Sequence, residues 1–153
     1  MIVLLVEDDP LIALDLEAIL FDAGYVVRGP APTASRAIEM AESGARPTLA
    51  LVDINLRDGD GRGIALARDL KERWSIPSIF VSGQAAEARS DSGGAMGIVG
   101  KPFTPALILA SIRAAVRMIG GEKLRPSDMP PGFELFDRCK RESGGQSGPT
   151  HSR

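Results

Sequence analysis

Along the chain, short runs of consecutive apolar residues alternate with stretches in which apolar residues return every three or four positions. The runs Ile2–Val6, 25–29, Leu49–Val52, 79–82 and Gly97–Gly100 predict strands. The unbroken apolarity of Ile2–Val6 and Leu49–Val52 suits strands buried on both faces of a parallel sheet. Residues 10–23 predict a first helix, with Asp9 as its cap, Pro10 at its first position and Gly24 at its end. A second helix is expected over 33–43, ended by Gly44, and a third follows the turn 57–61 with Ile64, Ala67, Leu70 and Trp74 on one face. A short helix over 85–89 and a last one over 104–119 complete the alternation. Five strand–helix units predict an α/β fold, a doubly wound five-stranded parallel sheet with helices on both faces.

Two helices carry more apolar surface than one face needs. In the first, Leu14, Ala18 and Phe21 are expected to face the sheet, leaving Leu11, Ile12 and Ile19 partly exposed for a partner, with Asp15 beside them. In the last, Ser111, Arg113 and Arg117 are the expected solvated positions, which leaves Leu107, Leu109 and Met118 for a homodimer or for cover by residues 133–136. The segment 83–97 holds Gly83, Gly93, Gly94 and Gly97 and is expected to be the most mobile part of the domain.

Composition then divides the chain. Residues 1–120 carry the strand–helix alternation, whereas 121–153 are rich in proline, glycine, serine and mixed charge, and about 142–153 are expected to be disordered. Phe133, Leu135 and Phe136 form an apolar cluster inside that extension. The 153 residues, 44% of them apolar, suffice for one ordinary core. Eighteen basic against 20 acidic side chains give a net charge of −2, so charge offers no case for nucleic acid or a membrane as partner. A lone Cys139 excludes an intramolecular disulfide, and the chain lacks an export-type leader and any run long enough for a membrane span, so a cytoplasmic protein is expected.

The chemistry-bearing residues sit where the predicted strands end. Glu7, Asp8 and Asp9 follow the first, Asp53 the third, Ser82 closes the fourth, and Lys101-Pro102 follow the fifth. Parallel strands bring their carboxyl ends together, which is where open α/β sheets bind ligands. Asp9, before Pro10, reads as the helix cap. Mg²⁺ takes oxygen ligands, often one or two carboxylates plus phosphate oxygens, so Asp8 and Asp53 are candidate ligands. Crowded carboxylates repel one another and gain from a divalent cation. With charge neutralised, a carboxylate oxygen can attack phosphorus, Lys101 can pair with a phosphoryl oxygen, and Ser82 can hydrogen-bond another.

On these residues the chain resembles the receiver domains of two-component response regulators, a CheY-like family, over residues 1 to about 120. The resemblance implies a flavodoxin-like sheet of strand order 2-1-3-4-5, Asp53 as phosphoacceptor, and Lys101 and Ser82 as the residues that contact the phosphoryl group. It further implies Mg²⁺ held by Asp8, Asp53 and the Asn55 backbone carbonyl, with Glu7 acting through water. Two positions depart from the common pattern. Ile98 stands where many receivers carry an aromatic switch residue, and Arg57 replaces a frequent proline. The segment Phe80-Val81-Ser82-Gly83-Gln84 is similar to the Phe-Ala-Thr-Gly-Tyr motif of a subgroup that lacks the aromatic switch, often stand-alone receivers paired with atypical sensor histidine kinases.

The expected function is that of a single-domain response regulator, a phosphoacceptor and not a turnover enzyme. It would take a phosphoryl group from a histidine kinase or phosphotransfer protein and signal by protein binding, or act as a phosphate shuttle or sink. The alternatives are a phosphorylation-independent scaffold and an aspartyl-phosphate hydrolase. The latter normally places a second aspartate two positions after its nucleophile, a spacing that Glu7-Asp8-Asp9 lacks.

Overall fold

The apolar run Ile2–Val6 forms the first strand (β1), and its side chains alternate between two helix layers. Leu4 and Val6 join one buried cluster, whereas Val3 and Leu5 join the other. The computed structural model describes residues 1–136, so the disorder expected for 142–153 lies outside the described residues. After β1 come α1 (Pro10–Asp22), β2 (Val26–Ala31), α2 (Ala34–Glu42), β3 (Leu49–Val52), α3 (Arg62–Trp74), β4 (Ser78–Ser82), α4 (Ala85–Ser90), β5 (Gly97–Gly100) and α5 (Pro105–Ile119). A 3-10 turn (Pro126–Asp128) and a strand, β6 (Phe133–Leu135), follow.

The sheet runs β2-β1-β3-β4-β5-β6, with the first five strands parallel in the expected order. The sequence reading stopped at five strands; a sixth pairs antiparallel with β5, Val99 opposite Phe133 and Gly97 opposite Leu135. It comes from the segment read as a loose apolar cluster, because Phe-Glu-Leu is too short for a periodic signal to separate strand from loop. Phe133 is buried among Met96, Val99, Ile108 and Ile112, and Phe136 packs edge-on to Phe80 with 6.4 Å between ring centres.

One face of the sheet (Leu4, Val6, Ala50, Val52, Phe80, Ile98) packs on α2 and α3 through Ala37, Leu66 and Leu70. The other (Val3, Leu5, Leu49, Leu51, Ile79, Val81) packs on α1 and α5 through Leu16, Leu20, Ile108 and Ile112. Burying a residue such as Leu4 or Leu70 completely is worth about 1.5–3 kcal/mol, and these two layers hold the strand ends in register.

The face of α1 differs from expectation. Ala13, Leu16, Ile19 and Leu20 are buried, whereas Leu14 and Phe21 are 64% and 74% exposed. Ile19 thus belongs to the core, Leu14, Ala18 and Phe21 face outward, and Leu11 is exposed as expected. Apolar residues surround this helix, so its sequence supports two phases, and the better packing of Leu16 and Leu20 against β1 decides between them. In α5, Ser111 is buried and donates its hydroxyl hydrogen bond to the Leu107 carbonyl at 2.7 Å, which removes it from the solvated set. Val116 and Ile119 are exposed instead. Leu107 lies so close to Gly132 that a Cβ there would come within 2.8 Å of its side chain, so the extension covers this part of α5. β2 begins and ends later than the predicted 25–29 and carries a register shift between Leu4 and Val6, where a Cβ on Gly29 would meet the Leu5 carbonyl oxygen at 2.5 Å.

Candidate functional site

The strand order reverses beside β1, with β2 on one side and β3 on the other, and the crevice beyond that switch point is where the acids gather. Val6 pairs with Val52, and the Asp53 amide donates to the Val6 carbonyl at 2.9 Å, so the residues after β1 and β3 leave the sheet together. The Glu7 amide donates to Ala31 at 3.0 Å, which ties the start of the acidic run to β2. On the far side Ser82 pairs with Gly100, and the Lys101 amide donates to the Ser82 carbonyl at 3.2 Å, aligning the lysine with the crevice.

There Lys101 reaches back across the sheet. Its Nζ donates to Glu7 Oε2 at 2.8 Å and to Asp53 Oδ2 at 3.0 Å. The Glu7 side chain is almost wholly buried, and its Oε1 accepts from the Asp9 amide at 3.1 Å. Asp9 Oδ1 accepts from the Leu11 and Ile12 amides, which is the cap role its sequence context predicts. One oxygen each from Glu7, Asp8 and Asp53 lie within 4.8 Å of one another. Three carboxylate oxygens at that spacing are a hard donor set of the kind Mg²⁺ prefers, so the residues present fit the metal the sequence implies.

The electrostatics follow from burial. Burial pushes the Glu7 carboxyl up to about 7, assisted by the Asp53 charge and opposed by hydrogen bonds from Lys101 and the Asp9 amide. Burial also works against the Lys101 ammonium, yet its bonds to Glu7 and Asp53 prevail and hold it above its ordinary value. The lysine is therefore a fixed cation between two acids. A divalent ion and a phosphoryl group brought there would supply the charges of both signs that this arrangement balances.

Every predicted site residue lies at or beside this crevice. Ser82 is buried at the end of β4, and its Oγ accepts from the Gln84 amide at 3.2 Å. Asn55 sits two residues beyond Asp53, and its side-chain oxygen accepts from the Gly61 amide at 2.9 Å, which fixes the turn in which its own backbone lies. Sequence reasoning passed over Gly63 and gave Arg57 only as a departure from the family pattern, with no contact assigned to it. Arg57 donates to the Asp8 carbonyl at 3.4 Å, placing a guanidinium on the rim. Gly63 packs so tightly under β3 that a Cβ would strike the Asp53 carbonyl oxygen and the Ile54 Cα. The Gly61-Arg62-Gly63 spacing at the start of a helix is the signal that points to this close approach. Among the described residues, no helix is long and apolar enough to cross a membrane.

The comparisons with known proteins agree with this geometry. The family model described as the response regulator receiver domain matches residues 3–113. The phyllosphere-induced regulator PhyR of Methylorubrum extorquens is 36% identical over 115 residues, covering 74% of this chain and 43% of its own. The transcriptional regulatory protein PdtaR of Mycobacterium tuberculosis is 30% identical over 117 residues, 74% of this chain and 56% of its own. The chain thus spans about half the length of these curated relatives. Among solved structures, a mutant of the anti-anti-sigma factor PhyR from Bartonella quintana aligns with a TM-score of 0.67 at 33% identity, over 79% of this chain and 50% of that one. A CheY-like receiver domain protein from Methanospirillum hungatei aligns with a TM-score of 0.68 at 29% identity, over 80% of this chain and 98% of that one. With its strand order, its acidic crevice and the family match over residues 3–113, the chain belongs to the response regulator receiver domain family.

Proposed function

We propose that this chain is a phosphoacceptor in a phosphorelay, with Asp53 as the residue that takes the phosphoryl group. The observation that carries the reading is the Lys101 ammonium held between Glu7 and Asp53 at 2.8 and 3.0 Å, at the switch point of the sheet and beside Asp8. Lys101 occupies one oxygen of Asp53 and leaves the carboxylate a second oxygen for attack. In the transfer, the Asp53 oxygen forms a bond to phosphorus as the phosphorus–nitrogen bond of a donor phosphohistidine breaks. The bonding pair stays on the imidazole nitrogen.

Asp8, Asp53 and the Asn55 carbonyl are the proposed ligands of Mg²⁺, with Glu7 acting through water, a role suited to a carboxylate whose two oxygens already serve Lys101 and Asp9. When bound, the ion would neutralise charge on the carboxylates and on the transferring phosphoryl oxygens. Lys101 then pairs with one phosphoryl oxygen, and the Ser82 hydroxyl donates to another. The resulting acyl phosphate carries about −1.5 to −2 charge in place of the single negative charge of the carboxylate, at a site that holds its cation ready.

Residues 1–120 act as the receiver unit and 121–153 as its extension. The donor is a sensor histidine kinase or a phosphotransfer protein, and the exposed α1 residues Leu11, Leu14 and Phe21 offer it an apolar surface. The likeness of residues 80–84 to the motif without an aromatic switch supports an atypical kinase as donor. Output is through protein contact, or the chain serves as a shuttle or sink for phosphoryl groups. Incubation with acetyl phosphate and Mg²⁺, read by intact mass, tests the reading. One phosphoryl adduct that disappears in Asp53→Asn and with chelator supports it, whereas an adduct unaffected by either overturns it.

A further inference from the structure

The strand β6 is held by contacts that lead back to the acidic crevice. Glu134, its central residue, receives the guanidinium of Arg89 on α4 at 2.9 and 3.0 Å. Four residues before Arg89, α4 begins at Ala85, directly after Gln84, whose amide donates to the Ser82 hydroxyl oxygen. Ser82 closes β4 and Lys101 directly follows β5, and β5 is the strand β6 pairs with. On the inner side Phe136 packs against Phe80, in the cluster that holds Ile98 and Ala85, and donates its amide to the Met96 carbonyl at 2.9 Å. Between α4 and β6 lies an open groove of about 590 Å³, lined by Ala85, Arg89, Ile98, Gly132, Glu134 and Leu135 among others.

We propose that β6 is a tethered strap over the β5 edge, and that phosphorylation of Asp53 loosens it. The inference rests on the phosphoacceptor reading. When rotation about χ1 swings the Ser82 Oγ towards a phosphoryl oxygen on Asp53, the oxygen moves away from the Gln84 amide it now accepts from, and the first turn of α4 is free to shift. The Arg89–Glu134 pair is made by the Arg89 Nε alone to both carboxylate oxygens, and a shift of α4 draws that single donor away from Glu134. With that tie gone, β6 keeps three residues of edge pairing and the packing of Phe133 and Phe136. Ile98 supplies no aromatic ring to couple the strand ends to this face, whereas Phe136 brings a ring into the same cluster from the extension, against Phe80.

The test is hydrogen exchange on the full chain with and without Mg²⁺ and beryllofluoride, a phosphoryl mimic, with occupancy of Asp53 checked by fluorine resonances of the bound complex. The expected result is faster exchange across 133–136 in the loaded protein, with β1 and β3 unchanged. By reciprocity, variants that release the strap bind beryllofluoride more tightly. In Glu134→Gln the tie is lost, and affinity rises by about two- to five-fold, the range of one exposed ion pair. In Gly97→Ala, a Cβ strikes the Glu134 carbonyl and the Phe133 ring, both on the strap, and affinity rises again. Occupied protein with unchanged exchange over 133–136, or variants with unchanged affinity, overturns the strap and leaves the phosphoacceptor reading standing. Failure of Asp53 to take either mimic or phosphoryl group overturns both.

Discussion

Glu7 is the side chain whose environment most changes its chemistry. Because burial raises its carboxyl to about 7, it holds a proton more readily in the folded chain than in the unfolded one. Its favourable contribution to stability is therefore full below the unfolded carboxylate range and is lost as pH rises through about 7. Without Mg²⁺, the Tm of wild type should fall relative to Glu7→Gln between about pH 5 and about pH 8, and a flat difference in thermal unfolding would remove burial as the dominant influence. Mg²⁺ titrations by calorimetry should show the opposite requirement, with affinity weakening as Glu7 takes up its proton. Lys101 sets a second prediction. Lys101→Met removes the cation between two acids, so Mg²⁺ should bind about three- to ten-fold more tightly while phosphorylation from acetyl phosphate slows at least about ten-fold. Tighter metal binding with undiminished phosphorylation would mean that the lysine serves only to balance charge. These residues were legible in sequence because each closes an apolar run. That Lys101 bridges Glu7 and Asp53 was not, since the bridge spans 94 and 48 residues of chain and depends on the order in which the strands lie.

At the scale of elements, α3 and α1 teach different things. The first turn of α3 is pressed against the end of β3 through Gly63, whose amide donates to the Ile54 carbonyl at 2.8 Å. Gly63→Ala forces β3 and α3 apart at Asp53, and should cost about 1–3 kcal/mol by denaturant unfolding, the usual range for overpacking. It should also slow phosphorylation; a variant as stable and as active as wild type would show that the contact gives way cheaply. In α1 the buried phase was illegible from sequence because apolar residues surround the helix, and only packing on β1 selects Leu16 and Leu20. Leu16→Ala should therefore cost about 2–5 kcal/mol, whereas Phe21→Ser, at an exposed position, should stay within about 0.5 kcal/mol. Equal losses at the two positions would put the helix in its other phase. β6 escaped the sequence reading for a related reason. Its three residues carry no period of their own, and Gly97, which makes room for them on β5, reads in sequence only as the start of a strand.

For the whole molecule, five strands and five helices were legible because short unbroken apolar runs alternate with stretches of helical period, punctuated by Gly24, Gly44 and Pro77. What three-dimensional order adds is the convergence. Parallel strands carry Glu7, Asp8, Asp53, Ser82 and Lys101 to one edge, and the antiparallel β6 attaches the extension to the strand that ends at that lysine. The central claim is that Asp53 takes the phosphoryl group, and it is tested most directly at the bond itself. After incubation with acetyl phosphate and Mg²⁺, borohydride reduces an acyl phosphate to an alcohol and converts the modified aspartate to homoserine, which peptide sequencing by mass spectrometry locates. Homoserine at position 53, absent without metal, is the predicted result. Homoserine at Asp8 or another carboxylate, with Asp53 unmodified, would contradict it.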